Sequence, residues 1–510
     1  MALIGSLVKR GIALSQKISS SNTSEMPINQ QKEQLKELLN TASETSFGKY
    51  YGFSSWLYKR DLIDHFQSNV PIHNYEKMHS EWWGQQQKFP DISWPGSPNY
   101  FALSSGTTGK SSKRIPMTDA FLQSMRDVGS SFIRSLPNFD LPDELFESEV
   151  LMLSSSANLT RNENDQFEGE ISGINVNNFP GWYDLFYRPG KEIARIDDWD
   201  ERVLAIAKAA PDWNIGAIAG IPSWVLLMLQ KIIEYHDLDS IHEIWPNLSV
   251  FASGGVAFET YRSDFDKLTK KPLVVLDTYL ASEGFFAYTA RPNDMDMRLA
   301  LRHGYFYEFI PFDERGVDEY GELLENPEVL TIDEVKCDQD YVLVVSTSAG
   351  IWRYVIGDTI RFTSLAPPEI VLTGRTKFFL NVVGSQLSEE KLDAAILELS
   401  KSMGVTFNEY SVSALKDESD EYYHQWVLVT DDESLDQSKC VEQLDQLLKN
   451  ANKNYKVARS KALKAIKVNI IDKETYYDFL SREKKKGGQV KTPKVMRSEE
   501  MEKLLQGLTN

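Results

Sequence analysis

Cysteine is nearly absent from this sequence. Two residues, Cys337 and Cys440, in 510 cannot form a disulfide framework, and neither sits in a Cys/Cys or Cys/His spacing that would hold zinc. A reducing, cytoplasmic compartment is the expectation. Histidine is sparse as well: seven scattered residues form no metal or triad pattern, and no Gly-x-Ser-x-Gly elbow occurs. No apolar run reaches the roughly 18 residues that a bilayer span needs, so no membrane partner is expected. Positive charge is the minority, with 55 Lys and Arg against 74 Asp and Glu and a net charge of −19. Such a chain repels nucleic acid, and any polyanion has to be met in a confined positive site. Internal repeats and low-complexity tracts are also missing.

What is present is a globular composition, 42% hydrophobic and 25% charged. Residues 1–24 carry no acid and several serines. Organelle transit peptides share that composition, but the reading here is a plain amphipathic helix. A helix is expected over 30–41, with Asn29 as its cap. From 99 to 265 short apolar strands (150–153, 249–252) alternate with helices (199–209, 223–235), the rhythm of an α/β sheet. Between 298 and 375 the pattern turns to strands, at 305–310, 329–335, 341–346, 359–363 and 369–372, which implies a β-rich subdomain. After Gly374 a helix capped by Ser388 opens a smaller, two-layer α/β unit. Its strands are expected at 405–415, 422–430 and 464–471, and its further helices at 434–450 and from Glu474 to Arg482.

The most informative segment joins the apolar strand Tyr100-Phe101-Ala102-Leu103 to Ser104, Ser105, Gly106, Thr107, Thr108, Gly109, Lys110, Ser111, Ser112 and Lys113. Glycines let backbone N–H groups approach phosphate oxygens, while hydroxyls and lysines add donors and positive charge. Only Thr107 and Thr108 separate Gly106 from Gly109, so this is not a Walker loop. Pro116 favours an extended return strand, with the next helix capped by Thr118. A plain polar turn would use the same residue types.

Two more segments carry charge at the ends of strands. Glu283 follows the strand 272–279, where a carboxylate can hold Mg²⁺ or simply be an N-capping or surface residue. Asp358 follows Gly357 in what reads as a tight turn, suited either to ribose hydroxyls or to an Asx-turn. Ser253, Gly254 and Gly255 follow the strand 249–252, and the glycines would admit a flat base or serve as an ordinary turn.

These segments resemble the motifs of the adenylate-forming enzymes, and more closely those of the Gretchen Hagen acyl acid amido synthetases, first described as auxin-responsive plant proteins. The resemblance rests on Ser104 to Lys113, on Thr278-Tyr279-Leu280-Ala281-Ser282-Glu283, and on Gly350-Ile351-Trp352-Arg353-Tyr354-Val355-Ile356-Gly357-Asp358, in the family's order. Gly374-Arg375, Asn381-Val382-Val383-Gly384 and Leu387-Ser388-Glu389 are similar to its interdomain hinge, and Lys491-Thr492-Pro493 to its C-terminal lysine segment. Trp352 and Val355 stand where plant members usually carry Tyr and Arg, which, with the shorter chain, suggests a microbial-type or divergent member.

The resemblance implies a large N-terminal adenylate-forming domain over 1–379, a hinge at 380–387 and a smaller mobile C-terminal α/β domain over 388–510. It implies ATP and Mg²⁺ as cofactors, with Glu283 on the metal and Lys113 and Lys491 as catalytic lysines. Ser104, Ser105, Gly106, Thr107, Thr108, Gly109, Gly254, Gly255, Tyr279, Ser282, Asp358 and Arg375 would bind nucleotide: Asp358 the ribose, Tyr279 the adenine, Arg375 ribose or α-phosphate. Family position points to Gly220, Ile221, Pro222, Ser223 and Trp224 for the acyl group, with help from 179–183, although aromatic stretches also build cores. Lys491 lies in a run of seven basic residues against one acid from Arg482 to Arg497, a composition that also suits a solvated tail.

The implied reaction activates a small carboxylic acid as acyl-AMP, releases pyrophosphate and passes the acyl group to an amino acid, with the C-terminal domain turning between the steps. An acid–CoA ligase, its basic tail meeting CoA phosphates, is the alternative within the superfamily, and a catalytically silent nucleotide-binding regulator the alternative outside it. A monomer is expected.

Overall fold

The structure is a computed structural model. It describes residues 2–20, 25–104, 113–255, 258–292, 296–318, 321–376, 380, 387, 389–407, 409–417, 419, 421–432, 435–461, 463–483, 494–496 and 498–508. A small sheet contains β1 (Tyr100–Ser104), β2 (Lys113–Met117), β4 (Thr160–Arg161) and β5 (Phe167–Gly169), in the order β2-β1-β5-β4. β1 and β2 are antiparallel, with Ser104 opposite Lys113, so the return strand expected from Pro116 is present. Thr118 then caps the helix Asp119–Ser135, its hydroxyl oxygen accepting from the Phe121 N–H at 3.1 Å.

Among the described residues the large sheet has eleven strands. Its parallel half is β6 (Tyr187–Arg188), β3 (Glu149–Met152), β7 (Ile215–Gly220), β8 (Val250–Gly254) and β9 (Val274–Ala281). Its antiparallel half continues without a break through β10 (Gly284–Tyr288), β11 (Met297–Leu299), β15 (Pro368–Arg375), β14 (Ile351–Leu365), β13 (Asp340–Thr347) and β12 (Tyr305–Pro311). The strand-rich stretch is thus not a separate sheet; it extends the α/β sheet. Helices Trp199–Ala209 and Pro222–His236 bury Val203, Ile206, Val225 and Leu229 against Ile218 and Phe251. A second core is formed by Trp83, Phe121, Phe286, Tyr307, Trp352 and their neighbours.

Two expectations fail locally. Residues 329–335 form a single bridge, Leu330 to Phe309, followed by a turn in which the Thr331 N–H donates to Glu334 and its hydroxyl to Asp333. Self-satisfying Thr, Asp and Glu contacts compete with a strand there. Asn29 does not cap its helix, which starts at Pro27, a residue suited to the first helical position.

The C-terminal unit is built on β16 (Glu409–Lys416), β17 (Tyr422–Val429) and β18 (Leu463–Ile471), in that order. It has three layers rather than two. Helices Glu389–Met403 and Gln437–Ala451 cover one face through Leu392, Ile396, Leu399, Leu444 and Leu448. Helices Lys473–Glu483 and Ser498–Leu508 bring Tyr476, Met501 and Leu504 to the other. β17 explains this arrangement: Trp426 and Leu428 are buried on one face, Val427 and Val429 on the other. A strand that is apolar on both sides needs two covers. The terminal helix and the helix Lys453–Lys461 were not expected from sequence. No described helix is long and apolar enough to cross a membrane.

Candidate functional site

The parallel strands β3, β7, β8 and β9 end along one edge of the sheet, where open α/β sheets bind ligands. Gly254 closes β8. A Cβ on it would lie 2.9 Å from the Thr278 hydroxyl, which donates to the Ser253 carbonyl, and Gly255 has φ +89°. Both positions therefore require glycine. β9 carries Tyr279 and leads into the turn that holds Ser282 and Glu283 before β10 begins.

Asp358 arrives from the antiparallel half of the sheet. It lies inside the long strand β14, not in a tight turn: Gly357 at φ +92° and a register shift after Thr359 kink the strand, which is why its sequence reads as a turn. The Tyr279 hydroxyl donates to Asp358 Oδ2 at 2.7 Å, and Arg375 Nε meets Asp358 Oδ1 at 2.7 Å. Asp358 thereby joins the second and third motifs. Burial, and then Asp358, push the Tyr279 hydroxyl well above its ordinary pKa. The Asp358 carboxylate raises that of Arg375, whose side chain keeps 35% of its surface open.

Glu283 is 7% exposed. Burial raises its pKa and Asp358 adds to this, while Lys113 and Arg375 pull it back. These mutual influences bring Lys113 of the first motif, Glu283 of the second and Asp358 of the third into one neighbourhood. Lys113 Nζ also stands 5.5 Å from the centre of the Tyr75 ring.

Ser104 ends β1 opposite Lys113. Ser105, Gly106, Thr107, Thr108 and Gly109 lie outside the described residues, as do Lys491 and most of the segment 380–387. Ile221 precedes the helix Pro222–His236. Trp224 is 6% exposed and packs edge-on against Trp199 at 4.8 Å, which makes it part of the helix–sheet core. Phe179 and Tyr183 also meet edge-on, beside Tyr187 and Met152.

Sequence reasoning missed Tyr75, Arg114 and Glu168. The Tyr75 hydroxyl accepts from the Arg114 N–H at 2.9 Å, and Arg114 Nε donates to Glu168 Oε1 at 2.9 Å. The position of Arg114 beside Lys113 was the one available signal. Lys494, close in sequence to the predicted lysine segment, pairs through Nζ with Asp393 at 2.7 Å and Glu389 at 3.2 Å, on the helix Glu389–Met403. Among the described residues no group of three His, Cys, Asp or Glu could by itself hold a metal ion.

The chain matches the GH3 family N-terminal domain over residues 19–206, the GH3 family central domain over 298–375 and the GH3 family C-terminal domain over 390–500. It is similar to indole-3-acetic acid-amido synthetase GH3.2 of Arabidopsis thaliana, 24% identical over 237 residues, 43% of each chain. It is also similar to indole-3-acetic acid-amido synthetase GH3.8 of Oryza sativa subsp. indica, 23% identical over 278 residues, 50% of this chain and 44% of the relative. The chain thus spans less than half the length of these two curated relatives. In fold it matches the solved GH3.15 acyl acid amido synthetase with a TM-score of 0.77 at 16% identity, covering 97% of this chain and 96% of that one. A 2-hydroxyisobutyryl-CoA ligase matches with a TM-score of 0.57 at 12% identity, over 94% of this chain and 91% of that one. With all three family domains present in order, the chain belongs to the GH3 family.

Proposed function

We propose that this chain is an ATP-dependent acyl acid amido synthetase. The observation that carries the reading is the cluster in which Asp358 of the third motif is held by Tyr279 of the second and by Arg375, with the buried Glu283 within electrostatic reach of Asp358 and of Lys113 of the first motif. The curated relatives named above are amido synthetases, which supports the same choice of reaction.

A carboxylate is a poor electrophile, so its oxygen must first become part of a better leaving group. In the proposed first step that oxygen attacks the α-phosphorus of ATP, an O–P bond forms, the bond to the β-phosphate oxygen breaks, and pyrophosphate leaves. Lys113 and the 104–113 segment offset the negative charge on the phosphates, and Arg375 lies beside the α-phosphate and ribose. Asp358 accepts from the ribose hydroxyls, while the ring of Tyr279 lies along the adenine. In the second step an amino acid nitrogen attacks the acyl carbonyl, the C–O bond to AMP breaks, and the amine proton passes to solvent. No covalent enzyme intermediate is needed.

Glu283 suits Mg²⁺, because a buried carboxylate with a second carboxylate, Asp358, in its surroundings gains from a hard cation that completes its shell with phosphate and water oxygens. When bound, Mg²⁺ would neutralise phosphate charge. Ile221 adjoins the acyl side, backed by Trp224 in its packing on Trp199, and Lys491 reaches the adenylate from the C-terminal domain, which we place at 388–510 beyond a hinge at 380–387. The setting is a cytoplasmic monomer.

The test is to incubate the full chain with ATP, Mg²⁺ and a broad panel of carboxylic acids and to follow pyrophosphate release. Amino acids and CoA are then added separately. Release with some acid and an amide with an amino acid are expected. A thioester instead would move the chain to the CoA ligases, and no release with any acid would overturn adenylation.

A further inference from the structure

The two units of the chain have separate apolar cores, and among the described residues hydrogen bonds and an ion pair join them. The two large N-terminal cores contain no residue beyond Ile370, and the two C-terminal cores none before Leu380. At the boundary Glu409, the first residue of β16, is 4% exposed. Its Oε1 accepts from two tyrosine hydroxyls: Tyr261 of the N-terminal unit at 2.6 Å and Tyr477 of the C-terminal unit at 3.1 Å. Two weaker contacts flank them, Lys473 Nζ to Asp264 at 3.8 Å and Ser263 to Thr406 at 3.3 Å. The Tyr477 ring stands 6.2 Å from that of Trp224.

We propose that the Tyr261–Glu409 hydrogen bond is a releasable latch that holds the C-terminal unit in its observed orientation on the N-terminal unit. A carboxylate in such a buried position needs donors, and it has one from each side. When the units part, Tyr477 travels with Glu409 and keeps the carboxylate oriented, while water replaces Tyr261. Release therefore exchanges one donor for another and does not strand a charge, whereas a shared apolar core would have to be broken as a whole. Tyr261 ends the short helical turn Phe258–Tyr261, which comes after β8 in the chain.

The two residues are positioning residues, since neither has to touch a reacting atom. For the two half-reactions this inference rests on the function proposed above; for domain orientation it does not.

The decisive variant is Tyr261→Phe, which keeps the ring and removes only the donor; Glu409→Gln, which keeps the shape and removes the charge, is the second. Cys337 is exposed and Cys440 buried, so a spin label at Cys337 and another at Val457→Cys, also exposed, report the distance between the units in the full chain. The wild type should give one dominant distance. Loss of a hydrogen bond to a charged group should shift the population of that distance roughly tenfold or more in Tyr261→Phe, and the weaker neutral bond left in Glu409→Gln should shift it in the same direction by less, while the thermal midpoint and circular dichroism confirm that both are folded. Distributions that superimpose on that of the wild type, or a wild type already spread over many distances, would overturn the latch. In the enzyme assay the ratio of pyrophosphate release to product formation should change while the KM for ATP does not. If no acid supports any release, the functional reading fails and the distance measurement still decides the latch.

Discussion

Asp358 and Arg375 stand opposite each other on β14 and β15 and meet at 2.7 Å. Both strands belong to the antiparallel half of the sheet, whereas Tyr279, which holds the other oxygen of Asp358, belongs to the parallel half. The carboxylate is therefore fixed from two directions before any nucleotide arrives, and preorganisation of this kind lowers the cost of binding.

Asp358→Asn keeps the volume and removes the charge. The KM for ATP should rise at least about tenfold, the loss of one charge-assisted hydrogen bond or more. The chain should also lose about 2 kcal/mol of stability. That is below the figure for a fully buried pair, because Arg375 remains partly open to solvent, which screens the charge left behind. Pyrophosphate exchange against ATP concentration and a thermal melt check the two effects.

Glu283→Gln should separate activity from stability. Burial raises the pKa of this carboxyl, so the folded state prefers it protonated, and the chain loses stability as pH rises past the ordinary carboxyl range. The neutral amide escapes that cost. The variant should melt higher than wild type at pH 8, show no gain at pH 4, and lose Mg²⁺-dependent pyrophosphate release by about a hundredfold or more. Thermal melts at both pH values, set beside the assay, would reveal a variant that melts lower at pH 8, against this account.

What could be read from the sequence was local. The return strand that begins at Lys113, the cap at Thr118 and the helix Trp199–Ala209 each depend on neighbouring residues, and all three are present. The register shift at Asp358 depends on how β14 pairs with β15, which no short window contains. The pair Arg114 and Glu168 and the contact between Tyr261 and Glu409 join residues far apart in the chain. Trp224 illustrates the other limit. An aromatic residue beside a strand end suits an acyl wall or a core, and only its neighbour Trp199 reveals the core packing.

Arg353 is held at φ +42°, a left-handed conformation rarely adopted by a long side chain, and it is 4% exposed. Its guanidinium pairs with Glu308 at 2.9 Å and donates to the carbonyls of Gln67 and Val70 at 2.6 Å, fastening the helix Leu62–Asn69 to the sheet. Arg353→Met leaves Glu308 charged and buried, which should cost about 3 to 5 kcal/mol. Adding Glu308→Leu should recover part of that loss, because the stranded charge is gone. Denaturant midpoints of the two single variants and the double variant test the coupling; strictly additive shifts would argue against it.

Asp277 lies one residue before Thr278 on β9, with its Oδ1 buried and without a hydrogen-bond partner among the described residues. Burial pushes its pKa from 3.8 up to about 7, against the pull of Ser253 and Arg262. Below 3.8 the folded and unfolded chains both carry the proton, and the carboxyl has no effect on stability. Between 3.8 and about 7 the folded chain keeps a proton that the unfolded chain has released, so stability falls as pH rises, and above that range the whole cost remains. Asp277→Asn removes the ionisation. It should match wild type at pH 4 and exceed it at pH 8 by up to about 4 kcal/mol, the equivalent of a shift of roughly three pH units. Denaturant midpoints taken from pH 4 to 8 should therefore diverge; parallel curves would mean that the carboxyl ionises in the folded chain as readily as in water.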